Sequence, residues 1–136
     1  MSKYIGLDLG TTTIGVAYSD ALGFVHGLET FRFEPNAYSK AREKVHQVVA
    51  QLGIKNLVLG LPINMDGTEG PRAEKTRAFG DKLAALTSIP VEYIDERLTS
   101  VEAEEILISA GMRREKRKEV IDKVAATLIL ESYLKK

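Results

Sequence analysis

The chain contains no cysteine. That excludes disulfides and thiolate chemistry, and it fits residence in the cytoplasm. No apolar run approaches the roughly 18 residues that a membrane span requires. The opening Met1-Ser-Lys-Tyr-Ile runs straight into a strand pattern with no signal peptide ahead of it. Neither secretion nor a membrane partner is expected. Charge of one sign is also missing: 19 Lys and Arg balance 19 Asp and Glu. Zero net charge argues against a protein that coats nucleic acid by bulk attraction, but leaves room for a local basic patch. Aromatic residues make up only 7%, too few for base stacking as the main binding mode.

What remains is ordinary globular material: 136 residues, 44% apolar and 28% charged. This suits one domain over residues 1–136 with a core of its own. Residues 4–9 and 14–18 are short runs rich in Ile, Val, Leu and Tyr, joined through Gly10-Thr-Thr-Thr13, and predict a hairpin. Gly6 and Gly15 within those strands point to close approach of another element. Residues 25–33 predict a third strand, at an edge. Lys40 to Leu52 has helical spacing, and Gly53 stops it. The nearly all-apolar stretch Asn56 to Leu61 predicts a strand buried on both faces, hence a parallel partner. A loop from Pro62 to Gly70, a helix from Pro71 to Thr87 and a strand from Val91 to Ile94 follow. Thr99 to Ala110 predicts a helix with a Thr99–Glu102 capping box. A charged segment spans residues 112–118, and a last helix runs from about Glu119 to Leu134. Leading antiparallel strands followed by βα units make an α/β fold with a mixed sheet covered by helices.

Three acidic groups fall where such sheets collect their sites, at carboxyl ends of strands. Asp8 closes the first strand, Asp95-Glu96-Arg97 follows the last, and Asp122 lies near the start of the final helix. Asp8 stands among Ile5, Leu7 and Leu9, where an unpartnered carboxylate would be costly. Asp95 and Glu96 also read as a polar loop paired with Arg97, and Asp122 as a helix-start carboxylate favoured by the dipole. Only the group of three favours a site. Converging carboxylates suit Mg²⁺ or Mn²⁺, and a two-ion arrangement suits in-line phosphodiester hydrolysis. The Gly67 and Gly70 amides, with Asn64 and Arg72, make a phosphate grip ahead of a helix start, or else a plain loop. Arg113, Arg114, Lys116, Arg117 and Lys118 are five cations in six positions, suited to phosphate contacts beside a carboxylate site.

The stretches Leu7-Asp-Leu-Gly, Ile14-Gly-Val-Ala-Tyr-Ser-Asp20, Gly60-Leu-Pro, Asp66-Gly-Thr, Asp95-Glu-Arg-Leu-Thr-Ser100 and Asp122-Lys-Val-Ala-Ala-Thr-Leu-Ile-Leu-Glu-Ser-Tyr133 together resemble the YqgF/RuvX family, over the whole chain and in order. Its members are described as pre-16S rRNA nucleases and as Holliday junction resolvase-like proteins. The resemblance implies an RNase H-like fold with a five-stranded mixed sheet, its first three strands antiparallel. It implies a metal site of Asp8, Glu96 and Asp122, with Asp95 behind Glu96 or in its place. It also implies a role in maturing the 5′ end of pre-16S rRNA, with cleavage of branched DNA as the alternative. Resolvases cut two strands symmetrically as dimers, so that alternative carries a homodimer. A third reading is a nucleic-acid- or ribosome-binding factor without catalysis, working through the basic run. One departure stands out: the family usually has a cation in the loop that here reads Thr11-Thr12-Thr13. This loop resembles the phosphate loop of actin-like ATPases, so the Thr11 and Thr12 hydroxyls become candidate phosphate contacts. Those ATPases enclose nucleotide between two such domains, and this chain has the length of one.

Overall fold

The computed structural model describes residues 2–97 and 99–135. Five strands form one sheet: β1 (Ile5–Leu9), β2 (Thr13–Ser19), β3 (Val25–Arg32), β4 (Leu57–Leu61) and β5 (Val91–Asp95). Their order is β3-β2-β1-β4-β5. β1 pairs antiparallel with β2, and β2 with β3, while β1–β4 and β4–β5 are parallel. This is the expected mixed sheet, with β3 at its edge. Four helices complete the fold: α1 (Tyr38–Leu52), α2 (Pro71–Thr87), α3 (Thr99–Ser109) and α4 (Arg114–Leu134).

The alternation of side chains across β1 sorts the core into two halves. Ile5, Leu7 and Leu9 point to the face covered by α1 and α2, where they join Val45, Val48, Leu57, Leu59, Phe79 and Leu83. The opposite face carries Val58 and Ile94 against Ile129 and Leu130 of α4. β4 is buried on both faces along its whole length, as its apolar run requires.

The second face is also paved with glycine. A Cβ at Gly6 would lie 2.7 Å from Leu130 Cβ, and one at Gly60 would lie 2.5 Å from Ile129 Cδ1. A Cβ at Gly15 would overlap the carbonyl oxygen of Asp122. The close approach expected at Gly6 and Gly15 is therefore the seating of α4 on the sheet.

Two expectations change. The charged segment 112–118 is not a separate linker, because α4 already begins at Arg114. Arg113 takes an extended conformation (φ −66°, ψ 153°) that turns the chain into the helix. The straight-chain residues Glu115 to Lys118 are good helix formers. Arg117 then ties the first turn down: its Nη1 donates to the Met112 carbonyl at 2.9 Å and its Nε lies 3.5 Å from Glu104 of α3. The second concerns the Thr99–Glu102 capping box. Thr99 is already helical, so it does not stand ahead of the helix as a cap, and the residue before it lies outside the described residues.

Replacing Gly15 with Ala should destabilise the protein by about 1–3 kcal/mol, the usual range for overpacking. The obstacle is backbone of a long helix rather than a movable side-chain tip. Urea unfolding followed by circular dichroism measures this, and an unchanged midpoint would contradict the seating of α4.

Candidate active site

The sheet's topology puts the carboxyl ends of β1, β4 and β5 side by side, next to the start of β2. A cleft of about 330 Å³ opens there, and Asp8, Glu96, Asp122, Arg72 and Arg97 all line it, with Pro62, Ile63 and Val101 as apolar wall. Three remote acidic residues thus share one cleft for three different reasons. Asp8 is on the α4 face of β1, directly opposite Gly15 in register, and is only 8% exposed. Glu96 is the first residue beyond β5, held by its amide donating to the Leu61 carbonyl at 3.1 Å. Its carboxylate fills the space over Gly60, where a Cβ would stand 2.9 Å from Oε2. Asp122 arrives on α4, whose backbone rests on Gly15.

Asp95 points elsewhere. Its carboxylate accepts from the Arg97 amide at 2.9 Å and from Arg97 Nε at 2.8 Å, in an exposed loop clip. Burial works against its ionisation, but the Arg97 amide and guanidinium outweigh it and hold its pKa below the usual carboxylate value.

Burial dominates the electrostatics of the inner pair. It pushes Asp8 from 3.8 up to about 6; a hydrogen bond with Glu96 and the Arg72 charge work the other way, while Asp122 adds to the rise. Burial, then the Asp8 charge, pushes Glu96 from 4.5 up to about 9. The two steps belong to the pair rather than to either acid: two carboxyls in one partly desolvated cleft resist ionising together. Arg72 is the cation that favours ionisation of both, and its Nη2 donates to the Leu9 carbonyl at 3.3 Å.

The residues singled out around the cleft separate into groups. Arg72 and Arg97 line it, and Thr11 lies in an adjoining groove with Arg72. Thr12 is half-buried and its carbonyl accepts from the Phe33 amide at 2.8 Å. Asn64 holds its own loop closed, donating to Thr68 Oγ1 at 3.1 Å. Arg113, Arg114, Lys116 and Lys118 are exposed along the first turns of α4, whereas Arg117 is largely consumed by its contacts to Met112 and Glu104. Among the described residues, no three acidic or imidazole groups are drawn in tightly enough to enclose a single ion.

One residue escaped the sequence reading. The Thr13 hydroxyl donates to Asp122 Oδ2 and so links the start of β2 to the acid on α4. Nothing local in Thr11-Thr12-Thr13 distinguishes the third threonine. Strand alternation is the one available signal, since Thr13 shares the Gly15 face.

A family model described as RuvX, Holliday junction resolvase, matches residues 2–136. The chain belongs to the RuvX family. A relative from Streptococcus equi subsp. equi, provisionally named pre-16S rRNA nuclease, is 49% identical over 134 residues, covering 97% of this chain and 96% of its own. A Streptococcus thermophilus protein with the same provisional name is 46% identical, with the same coverage. Among solved structures, RuvC of T. thermophilus, determined in complex with a Holliday junction substrate, superposes with a TM-score of 0.61 at 14% identity. That match covers 99% of this chain and 96% of that one, and it shows a shared RNase H-like fold. Among the described residues, no helix is long and apolar enough to cross a membrane.

Both inner carboxyls have folded-state pKa values above their ordinary ones, so the folded protein keeps protons that the unfolded chain releases. The resulting stabilisation is complete below 3.8–4.5 and is lost as pH rises through about 6 and then about 9. In EDTA, thermal midpoints should therefore fall across this window. Asp8→Asn should flatten the fall and melt several degrees above wild type at pH 9. A variant that tracks wild type at every pH would show that the pair is not coupled.

Proposed function

We propose that residues 1–136 act as one divalent-metal-dependent endonuclease domain, hydrolysing phosphodiester bonds in the 5′-end maturation of pre-16S rRNA in the cytoplasm. The observation that carries this is the shared cleft of Asp8, Glu96 and Asp122, taken with the provisional names of close relatives. The donor set fits a hard divalent cation. The buried Asp8 and half-buried Glu96 carboxyls are held back from full ionisation largely by desolvation and by one another, and an added cation relieves both. The open arrangement also fits, because Mg²⁺ is usually bound through one or two carboxylates, waters and substrate phosphate rather than in a closed protein cage. Mg²⁺ or Mn²⁺ bound by these three side chains would supply Lewis acidity at the phosphate and lower the pKa of an attacking water.

The protein's own groups do the rest. Arg72 meets the phosphate with a guanidinium suited to two of its oxygens. Thr13 fixes the direction in which Asp122 presents its carboxylate. Pro62, Ile63 and Val101 keep bulk water from one side of the cleft, which strengthens the electrostatics inside it. The exposed cations of early α4 give salt-dependent contacts with the backbone of the structured RNA.

A second reading is favoured by the family model's description and the RuvC likeness: resolution of branched DNA by a homodimer. Incubating the protein with a pre-16S fragment and with a four-way DNA junction, in Mg²⁺ and in Mn²⁺, distinguishes the two, with light scattering to give the oligomer. Asp8→Asn and Glu96→Gln should each lower kcat more than about 100-fold on the true substrate, as loss of several kcal/mol of metal-borne stabilisation implies. Wild-type rates in either variant would remove the site assignment, whereas no cleavage of either substrate by the wild-type protein would leave a binding factor without catalysis. Thr13→Val should lower kcat about 10–100-fold, the range for groups that orient metal ligands, with KM little changed and Thr13→Ser restoring the rate. Equal rates in the valine variant would reduce Thr13 to a packing residue.

A further inference from the structure

The cleft does not end at the carboxylates. Leu9, Gly10 and Arg72 also line a narrow groove with Thr11, Tyr38, Lys75 and Thr76. Tyr38 and Lys75 in turn line a further depression with Arg42, Ala78, Phe79 and Lys82. Three depressions that share walls make one path, running from the acidic site across the β1–β2 loop and along the seam between α1 and α2. Its charge changes sign on leaving the site. Neither outer section is lined by any acidic residue, and Arg72, Lys75, Arg42 and Lys82 follow one another along it.

The state of these cations matters as much as their number. Elsewhere Arg77 pairs with Glu69, Lys44 with Glu29, Arg97 with Asp95 and Arg117 with Glu104. Among the described residues, no carboxylate lies within ion-pair distance of Arg42, Lys75 or Lys82. Arg42 is instead held over the Phe79 ring, 5.6 Å from its centroid, which positions the charge without neutralising it. In a chain with zero net charge, a row of unneutralised cations opening from an acidic site is the electrostatic footprint of a polyanion. Arg72 to Lys82 spans about 15 Å of helix, long enough to meet more than one successive phosphate of a strand. One row of cations beside a single half-buried ring, Tyr38, suits one strand; a duplex presents two backbones.

We propose that the seam between α1 and α2 is the track along which one single strand of the nucleic-acid substrate leaves the catalytic cleft, held by Arg72, Lys75, Arg42 and Lys82. This rests on the nuclease reading above and gives that substrate a direction: a single-stranded extension on one side of the scissile bond.

Fluorescence anisotropy on the Asp8→Asn protein, where no cleavage intervenes, tests this with RNA stem-loops bearing no tail, a 5′ tail or a 3′ tail of about eight nucleotides. One of the two tails should tighten binding at least about tenfold. In the combined Arg42→Gln, Lys75→Gln, Lys82→Gln protein, shown to be folded by its thermal midpoint, that gain should vanish. The slope of log Kd against log salt should fall by about 2, three contacts at about 0.7 each. A charge-matched Lys3→Gln, Lys55→Gln, Lys135→Gln protein should keep both. A DNA tail of the same sequence shows whether the track reads only phosphates or also the 2′-hydroxyl. If neither tail tightens binding, or the gain survives in the first triple variant, the track is wrong. Absence of cleavage by wild type would instead sink the nuclease reading and leave the tail effect standing.

Discussion

The close seating of α4 on the glycine-lined face of the sheet is the contact on which the rest depends. Gly15 sits opposite Asp8 in the β1–β2 register, and the backbone of Asp122 lies where a side chain at Gly15 would be. One missing side chain therefore brings a residue from the far end of the chain to within reach of a strand-end carboxylate. Gly6 and Gly60 extend the same contact along α4, toward Leu130 and Ile129, so the helix is held at both the polar and the apolar end. Gly60 has a double role: it admits Ile129 and leaves the space in which the Glu96 carboxylate rests.

That arrangement costs stability at the site. Asp8 is buried beside a second carboxyl, with Asp122 adding repulsion and Arg72 only partly offsetting it. A fold selected for stability alone would place an apolar residue at position 8, on the face that already carries Val58, Ile94, Ile129 and Leu130. Buried groups that resist ionisation and line a cleft cluster at functional sites. The same face of the sheet thus carries a dry contact, Val58 and Ile94 under Ile129 and Leu130, and an electrostatically strained one a few residues away.

Much of the fold was legible because it follows from local chemistry. The two-sided burial of β4 came from an unbroken apolar run, α2 from helical spacing after Pro71, and the close approach at Gly6 and Gly15 from glycine within strands. The start of α4 was misjudged because a charged run reads equally as a solvated loop or as an exposed helical turn. The Met112 carbonyl and Glu104, which capture Arg117, are known only once α3 is in place. The distinction between Asp95 and Glu96 was likewise closed to composition or spacing, since adjacent residues after a strand can turn either way. The Arg97 clip on Asp95 and the opening over Gly60 give the two acids their different surroundings.

By itself the sequence determined the order of strands and helices, the mixed character of the sheet, and which acidic residues stand at strand ends. These depend on side-chain period and on residues near in the chain. Only the tertiary structure decided that Asp8, Glu96 and Asp122 share one cleft, that Thr13 rather than its neighbours holds Asp122, and that Arg72, Lys75, Arg42 and Lys82 line a path from that cleft. Each of these depends on the position of one element against another far along the chain, a separation of 109 residues for Thr13 and Asp122. Such contacts are set by which faces can be buried together, and that is a property of the packed sheet rather than of any segment alone.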